Sequence, residues 1–228
     1  MIVPGRREVF KNGGYYHVFN KTIDDRQIFV NGVNTQLFLD IIRFYRAEIR
    51  NISFSQYLHL PEEIQNILNK KITSKKYHRV KILCYSLMPN HFHFLLKQTK
   101  ENGIQSFMAN IANSFTRFLN TKSKRTGPFF LPRFKAVVIH NHEQLIHTSR
   151  YIHLNHYSSG ILRTIEDIDM SSQCSYSDYV KKRKSTIADT NFILGLFNND
   201  RKLYKKFTED HADYQRTIES IKHAQKWS

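Results

Sequence analysis

The sequence predicts an α+β chain, a ferredoxin-like plait with one added helix and a small helical C-terminal tail, and three observations carry that prediction. Strand-like and helix-like segments follow one another in the order β-α-β-β-α-β-α. A Pro89-Asn90 pair joins the two middle strands with a tight turn. The helical segments bury one stripe only, as helices lying on a sheet must. A βαββαβ order makes an antiparallel sheet with helices on one face, a scaffold shared by many unrelated functions.

Gly13-Gly14 opens Tyr15–Asn20, an aromatic and β-branched run that reads as the first strand. From Asn34 to Arg50, Leu37, Phe38, Ile41, Ile42, Tyr45 and Ile49 recur at helical spacing. Residues 53–78 read as an insertion, with a helix start at Pro61-Glu62-Glu63 and a basic connector at Lys70–Lys76. Val80–Leu87 is the second strand, and His91–Lys97 returns antiparallel as the third. After Gly103, Ile104, Phe107, Met108, Ile111, Ala112, Phe115, Phe118 and Leu119 mark a long helix that buries one stripe and leaves Asn110, Asn113 and Arg117 outside. A Lys/Gly/Pro-rich loop follows over Thr121–Pro132, then a fourth strand over Phe134–His140. Asn141 caps a helix running to about Tyr157, and Ser158-Ser159-Gly160 ends it. The domain reading is one unit over 1–160 and a helical extension over 161–228, with short helices at Asp189–Asn198 and Asp200–Asp210. Before them Lys181-Lys182-Arg183-Lys184 reads as a solvated helix face, with a localisation signal or a DNA contact as alternatives.

With 228 residues, of which 40% are hydrophobic and 13% aromatic, the chain can bury a substantial core. The formal charge of +16 is unevenly spread: from Ile64 to His142 there are 14 Lys and Arg residues against a lone acid, Glu101. So one-sided a bias marks a polyanion-binding surface, and nucleic acid is the expected partner. Cys84 and Cys174 are too few for a disulfide framework and lack metal-ligand spacing, which fits a reducing cytosol. Met1–Arg7 has no apolar signal-peptide core and no apolar run approaches a membrane span, so a cytoplasmic protein without a membrane partner is expected.

The chemistry centres on His91-Phe92-His93. On a strand, alternate side chains share a face, so both imidazoles point one way while Phe92 and Phe94 point the other. Two neutral imidazoles about 7 Å apart can pinch a divalent metal if a third ligand arrives from elsewhere. A candidate source is the last helix, where Tyr151 and Asn155 lie four residues apart on one face, with His147 a turn earlier. The chain has 12 tyrosines, however, and spacing alone does not single out Tyr151.

Four segments together resemble a known family: Met88-Pro89-Asn90-His91-Phe92-His93, Gly14–Asn20 (Gly-Tyr-Tyr-His-Val-Phe-Asn), Arg133-Phe134-Lys135-Ala136 and Ser149-Arg150-Tyr151-Ile152-His153-Leu154-Asn155. They are similar to the HUH single-tyrosine transposases, and within these to the REP-associated tyrosine transposases. The likeness spans about residues 4–215, including a tail at Cys174-Ser175-Tyr176-Ser177-Asp178-Tyr179. Family members usually carry Pro where this chain has His156, and Gly where it has Pro132; neither change removes a catalytic group. The resemblance implies that 1–160 is a catalytic domain in which Tyr151 is the nucleophile and His91, His93 and Asn155 hold Mg²⁺ or Mn²⁺. The implied activity is nicking and rejoining of single-stranded DNA through a 5′-phosphotyrosine, at hairpin-forming repeats, by a monomer or homodimer. Arg133, Lys135 and Arg150, which flank the fourth strand and the catalytic helix, are the expected DNA contacts. The alternative is an inactive or domesticated nucleic-acid-binding module in which the histidines only pack.

Overall fold

The computed structural model describes residues 9–49, 51–181 and 186–225. Met1–Arg7 and, apart from Lys181, the basic run at 181–184 lie outside them. Four strands, β1 (Tyr15–Lys21), β2 (Val80–Met88), β3 (His91–Gln98) and β4 (Lys135–Ile139), form one antiparallel sheet in the order β2-β3-β1-β4. This is the predicted plait: β1 lies between β3 and β4, and each βαβ crossover skips one strand.

One face of the sheet is dry. Against it pack α1 (Gly32–Tyr45) and α4 (Gly103–Lys122), which bury Phe38, Ile41 and Ile42 and Phe107, Ile111 and Phe115 on Phe92, Phe94 and Leu96 of the sheet. The insertion contributes two helices, α2 (Phe54–Leu58) and α3 (Glu62–Thr73), whose Phe54, Tyr57, Leu68 and Ile72 join the same core. Gly103 is required where α4 begins, because a Cβ there would drive into the carbonyl of Arg79.

Two local expectations change. The first helix stops at Tyr45 rather than continuing to Arg50, although Ile49 still packs on the core. The following backbone turns to pair with the approach to β2, Arg79 N–H donating to Arg46 O (2.7 Å) and Glu48 N–H to Tyr77 O (2.8 Å). Those tertiary bonds override a periodicity that would have carried the helix on. The sequence reading also passed over α2, although Ser53 and Gln56 form a reciprocal capping box at its start.

The other face is covered by α5 (His142–Ser158) and by the C-terminal segment, with α6 (Tyr176–Val180), α7 (Asn191–Gly195), α8 (Arg201–Glu209) and α9 (Ala212–Gln225). Asn141 caps α5 by accepting from Gln144 N–H, and Gly160 leaves the helix with φ +75°, as the sequence predicts. A second core joins Leu83, Cys84 and Leu95 of the sheet to Ile152 and Leu154 of α5 and to Tyr176, Tyr179, Ile193 and Tyr204. The outer edge of β2 is also capped: Leu87 N–H donates to Gln173 O, Ser175 N–H to Tyr85 O and Asp189 N–H to Ile82 O. An edge satisfied this way offers no template for another strand. Among the described residues no helix is long and apolar enough to cross a membrane.

Candidate active site

The two-residue turn Pro89-Asn90 brings Met88 opposite His91, so β3 begins on a histidine. The turn is clamped from outside. Pro89 O accepts from Ile28 and Phe29 N–H, and Asn90 O accepts from the N–H and hydroxyl of Thr22. His91 and His93 then rise on the α5 face of the sheet, their ring centroids 5.1 Å apart and nearly perpendicular.

Each imidazole is oriented through its Nδ1. His91 Nδ1–H donates to Asn90 Oδ1 (2.6 Å), which leaves the Nε2 lone pair available. His93 Nδ1 lies 2.9 Å from His17 Nε2, and the two rings stack at 5.1 Å. A proton on His93 Nδ1 donated to His17 leaves His93 Nε2 bare as well. Such outer partners fix tautomer and ring plane in metal sites generally. Burial pushes the pKa of His93 well below 6.5, helped by its neighbours His17, His91 and His156, and takes His17 down to about 4. The pKa of His91 is lowered by burial first and Lys21 second, against a small upward pull from Asp25. The whole cluster is therefore neutral at pH 7.

α5 supplies the other side. The Tyr151 ring stands edge-on to His93 at 5.8 Å and to His17 at 5.9 Å. Asn155, one turn on, is 5% exposed, and its Nδ2 has no hydrogen-bond partner among the described residues. His156 ties this end of α5 to β2: its Nε2–H donates to Leu87 O (2.9 Å) and Ser86 Oγ lies 3.2 Å from Nδ1. This side chain thus fixes helix to strand.

Among the described residues no three His, Cys, Asp or Glu side chains are arranged to hold a metal by themselves. A cation on His91 and His93 would need a neutral third donor, and the amide oxygen of the buried Asn155, one turn after Tyr151, has that character.

The remaining predicted residues separate. Lys135 is exposed on the histidine face, paired in register with Phe19, whose ring stacks on His93 at 5.4 Å. Arg133 is exposed in the loop entering β4. Arg150 is not brought to the site: its guanidinium lies over Phe207 at 4.6 Å, donates to Phe207 O and contacts His147 Nδ1 at 2.8 Å. His147, aligned with Tyr151 on a helical wheel, likewise turns to Phe207, 5.5 Å between centroids. Sequence reasoning quoted His17 only within a strand motif. Its signal was alternation, since Tyr15, His17 and Phe19 share one face of β1.

A family model described as Transposase IS200 like matches residues 11–155, a stretch that contains all four strands and ends on Asn155. Among solved structures the chain is similar to a REP-associated tyrosine transposase bound to a REP hairpin, with a TM-score of 0.56 and 15% identity over 79% of this chain and 87% of that one. That likeness is one of fold. A Deinococcus radiodurans crystal structure named as a transposase gives a TM-score of 0.35 and 18% identity over 64% of this chain and 93% of its own. No curated protein matches the chain significantly. Because the family match covers well over half of the sequence, the chain belongs to the IS200-like transposase family and is a DNA transposase.

Proposed function

We propose that the protein cuts and rejoins single-stranded DNA at hairpin-forming repeats, with Tyr151 as nucleophile and Mg²⁺ or Mn²⁺ held by His91, His93 and Asn155. The observation that carries this reading is the Tyr151 ring edge-on to His93, 5.8 Å away, across the gap between α5 and β3. The phenol oxygen of Tyr151 attacks phosphorus and the P–O3′ bond breaks, giving a 5′-phosphotyrosine and a 3′ oxygen that takes up a proton. Attack by a second 3′-OH reverses the step and returns the phenol, so no ATP is consumed. When bound, the metal supplies Lewis-acid stabilisation of a non-bridging phosphate oxygen and of the leaving 3′ oxygen. Two imidazoles and one amide would leave coordination positions for those oxygens, unlike a closed structural site. The neutral state of His91 and His93 keeps their lone pairs available; Asn90 accepts from His91 Nδ1–H, and a proton on His93 Nδ1 shared with His17 would leave Nε2 of His93 for the metal. Lys135, exposed on the same face, is suited to a phosphate contact. DNA as substrate and a chain with two buried cysteines are consistent with action in the cytoplasm.

The test is a denaturing gel of the protein with an end-labelled single-stranded hairpin oligonucleotide and Mn²⁺. A covalent adduct is expected from the wild type and none from Tyr151→Phe, which still binds the DNA. His91→Ala with His93→Ala should also lose the adduct and show weaker Mn²⁺ binding by calorimetry. An adduct that persists in Tyr151→Phe moves the nucleophile to another tyrosine. Shifted but uncut DNA under every condition makes the chain a binding module.

A further inference from the structure

We propose that the groove between α2 and the C-terminal half of α4, on the face of the sheet away from Tyr151, takes an unpaired DNA strand continuous with the one being cut. The inference rests on the function proposed above, but its evidence is independent of the histidines. The groove has a volume of about 1200 Å³. Pockets for single small molecules run to about 300–1,000 Å³, so this one has room for a chain of units. Arg117, Lys122 and Arg125 line it, and among the described residues no Asp or Glu does. An ordinary solvated helix face mixes both signs, commonly as i,i+4 pairs; α8, with Lys205–Glu209 and Lys206–Asp210, is the example in this chain.

The remaining lining says which polyanion. Asn110 and Asn113 carry amides that both donate and accept, a pattern suited to base edges, while Asn120 spends its amide on Gly127 O and Arg125. Phe118, which helical spacing assigns to the buried stripe, is instead 40% exposed at the same place and offers a ring on which a base can stack. Paired bases hide their Watson–Crick edges and their faces, so the exposed ring in particular would be wasted on a duplex stem. Arg125 is held in position, its guanidinium 4.2 Å over the Phe129 ring and donating to Asn120 Oδ1.

Placement connects the groove to the site. α4 starts beside the end of β3, with Ile104 N–H donating to Gln98 Oε1, and runs back along the strand for 20 residues. At 1.5 Å per residue it is roughly 30 Å long, and the eight-residue β3 only about 26 Å. The C-terminal end of α4 therefore reaches the end of the sheet that carries His91. The loop that follows is fastened there: Ile23 N–H donates to Phe129 O, and Leu131 N–H to the carbonyl of Lys21, the register partner of His91. A strand leaving the histidines need only round this edge of the sheet to enter the groove. Along the edge Lys21 and Arg26 are already paired with Asp25 and Asp24, so the groove, not the edge, supplies the net attraction.

The experiment compares two fluorescent DNA hairpins, one trimmed to its stem and cleavage site and one carrying an unpaired extension of about ten nucleotides on its 5′ or 3′ side. Polarisation titrations at several salt concentrations are run with wild type, with Arg117→Gln/Lys122→Gln and with Phe118→Ala, all at exposed or half-exposed positions. The extension should strengthen wild-type binding on one side. Phe118→Ala should remove roughly tenfold of that gain. The double variant should flatten the salt slope by about 0.7 per lost contact. Covalent adduct formation on the trimmed hairpin should not change. Equal affinity of wild type and variants for the extended hairpin overturns the proposal, and so does an equal loss on both hairpins, which would be non-specific attraction. Loss confined to the extended hairpin in a protein that forms no adduct would sink the strand-transfer chemistry and leave the groove standing.

Discussion

The two faces of the sheet solve different problems. The α1–α4 face is an aromatic packing core: the Phe38 ring lies 4.9 Å from Phe29 and from Phe115 and 5.3 Å from Phe92, all of them buried. The α5 face buries His93, His153, His156, Ser86, Ser149 and Ser175, and it satisfies them in pairs. His153 lies 2.7 Å from Tyr204 Oη through Nδ1 and 2.9 Å from Ser175 Oγ through Nε2, and Ser149 Oγ lies 3.1 Å from the same tyrosine. The contrast follows from what each face must hold. Apolar packing accepts small slips of one helix on another, whereas a hydrogen-bonded network has one register. α5 carries Tyr151 and Asn155, and His153 and His156 tie it to the C-terminal segment and to β2. The C-terminal segment thus helps to fix the register of α5, because Ser175 and Tyr204 belong to that network.

If the faces divide the work in this way, their variants should separate stability from chemistry. Phe38→Ala on the dry face should lower stability by about 3–5 kcal/mol, the cost of a large cavity in a packed core. Urea melts should show that loss, while adduct yield per folded molecule at low temperature stays at the wild-type level. A yield that falls with the cavity would mean that the faces are coupled.

Asn155→Ala should behave in the opposite way. It removes a buried amide whose Nδ2 has no partner among the described residues, so the melting temperature should hardly move. Metal-dependent cleavage should fall roughly ten- to a hundredfold, as for other supporting groups of metal sites, with partial rescue by added Mn²⁺ because the histidines remain. A lower melting temperature with no rescue would make Asn155 a tether of the helix rather than a ligand.

A graded effect, spread over several pH units, is the dependence of stability on pH. Burial holds His153 at about 3 and His156 at about 4, below the roughly 6.5 of an unfolded histidine. As pH falls through 6.5 the unfolded chain takes up these protons first. Stability is therefore full above that pH and declines towards pH 4, by up to about 1.4 kcal/mol per pH unit for each histidine. His153→Gln should be less stable at pH 7, since it breaks the network, yet show a flatter decline between pH 7 and pH 5. An unchanged slope in chemical denaturation would remove His153 from the account.

The sequence by itself determined what depends on local period and local chemistry. Strand alternation put His91 and His93 on one face, helical spacing gave α4 its buried stripe, and Asn141 and Gly160 marked the ends of α5. Each signal is complete within a few residues of chain, and the resemblance carried by the motif segments picked Tyr151 from 12 tyrosines. What only the tertiary structure decided depends on partners far away in sequence. His17 reaches His93 because β1 pairs with β3 in the register that sets Phe19 against His93, and a slip of one residue would turn it to the other face. His147 and Arg150 leave the site for Phe207, about sixty residues on, which no local pattern announces. The first helix ends at Tyr45 because the backbone of Arg46 and Glu48 finds better partners in Arg79 and Tyr77. In each case the deciding energy is a contact between segments, and it exists only once the chain has closed on itself.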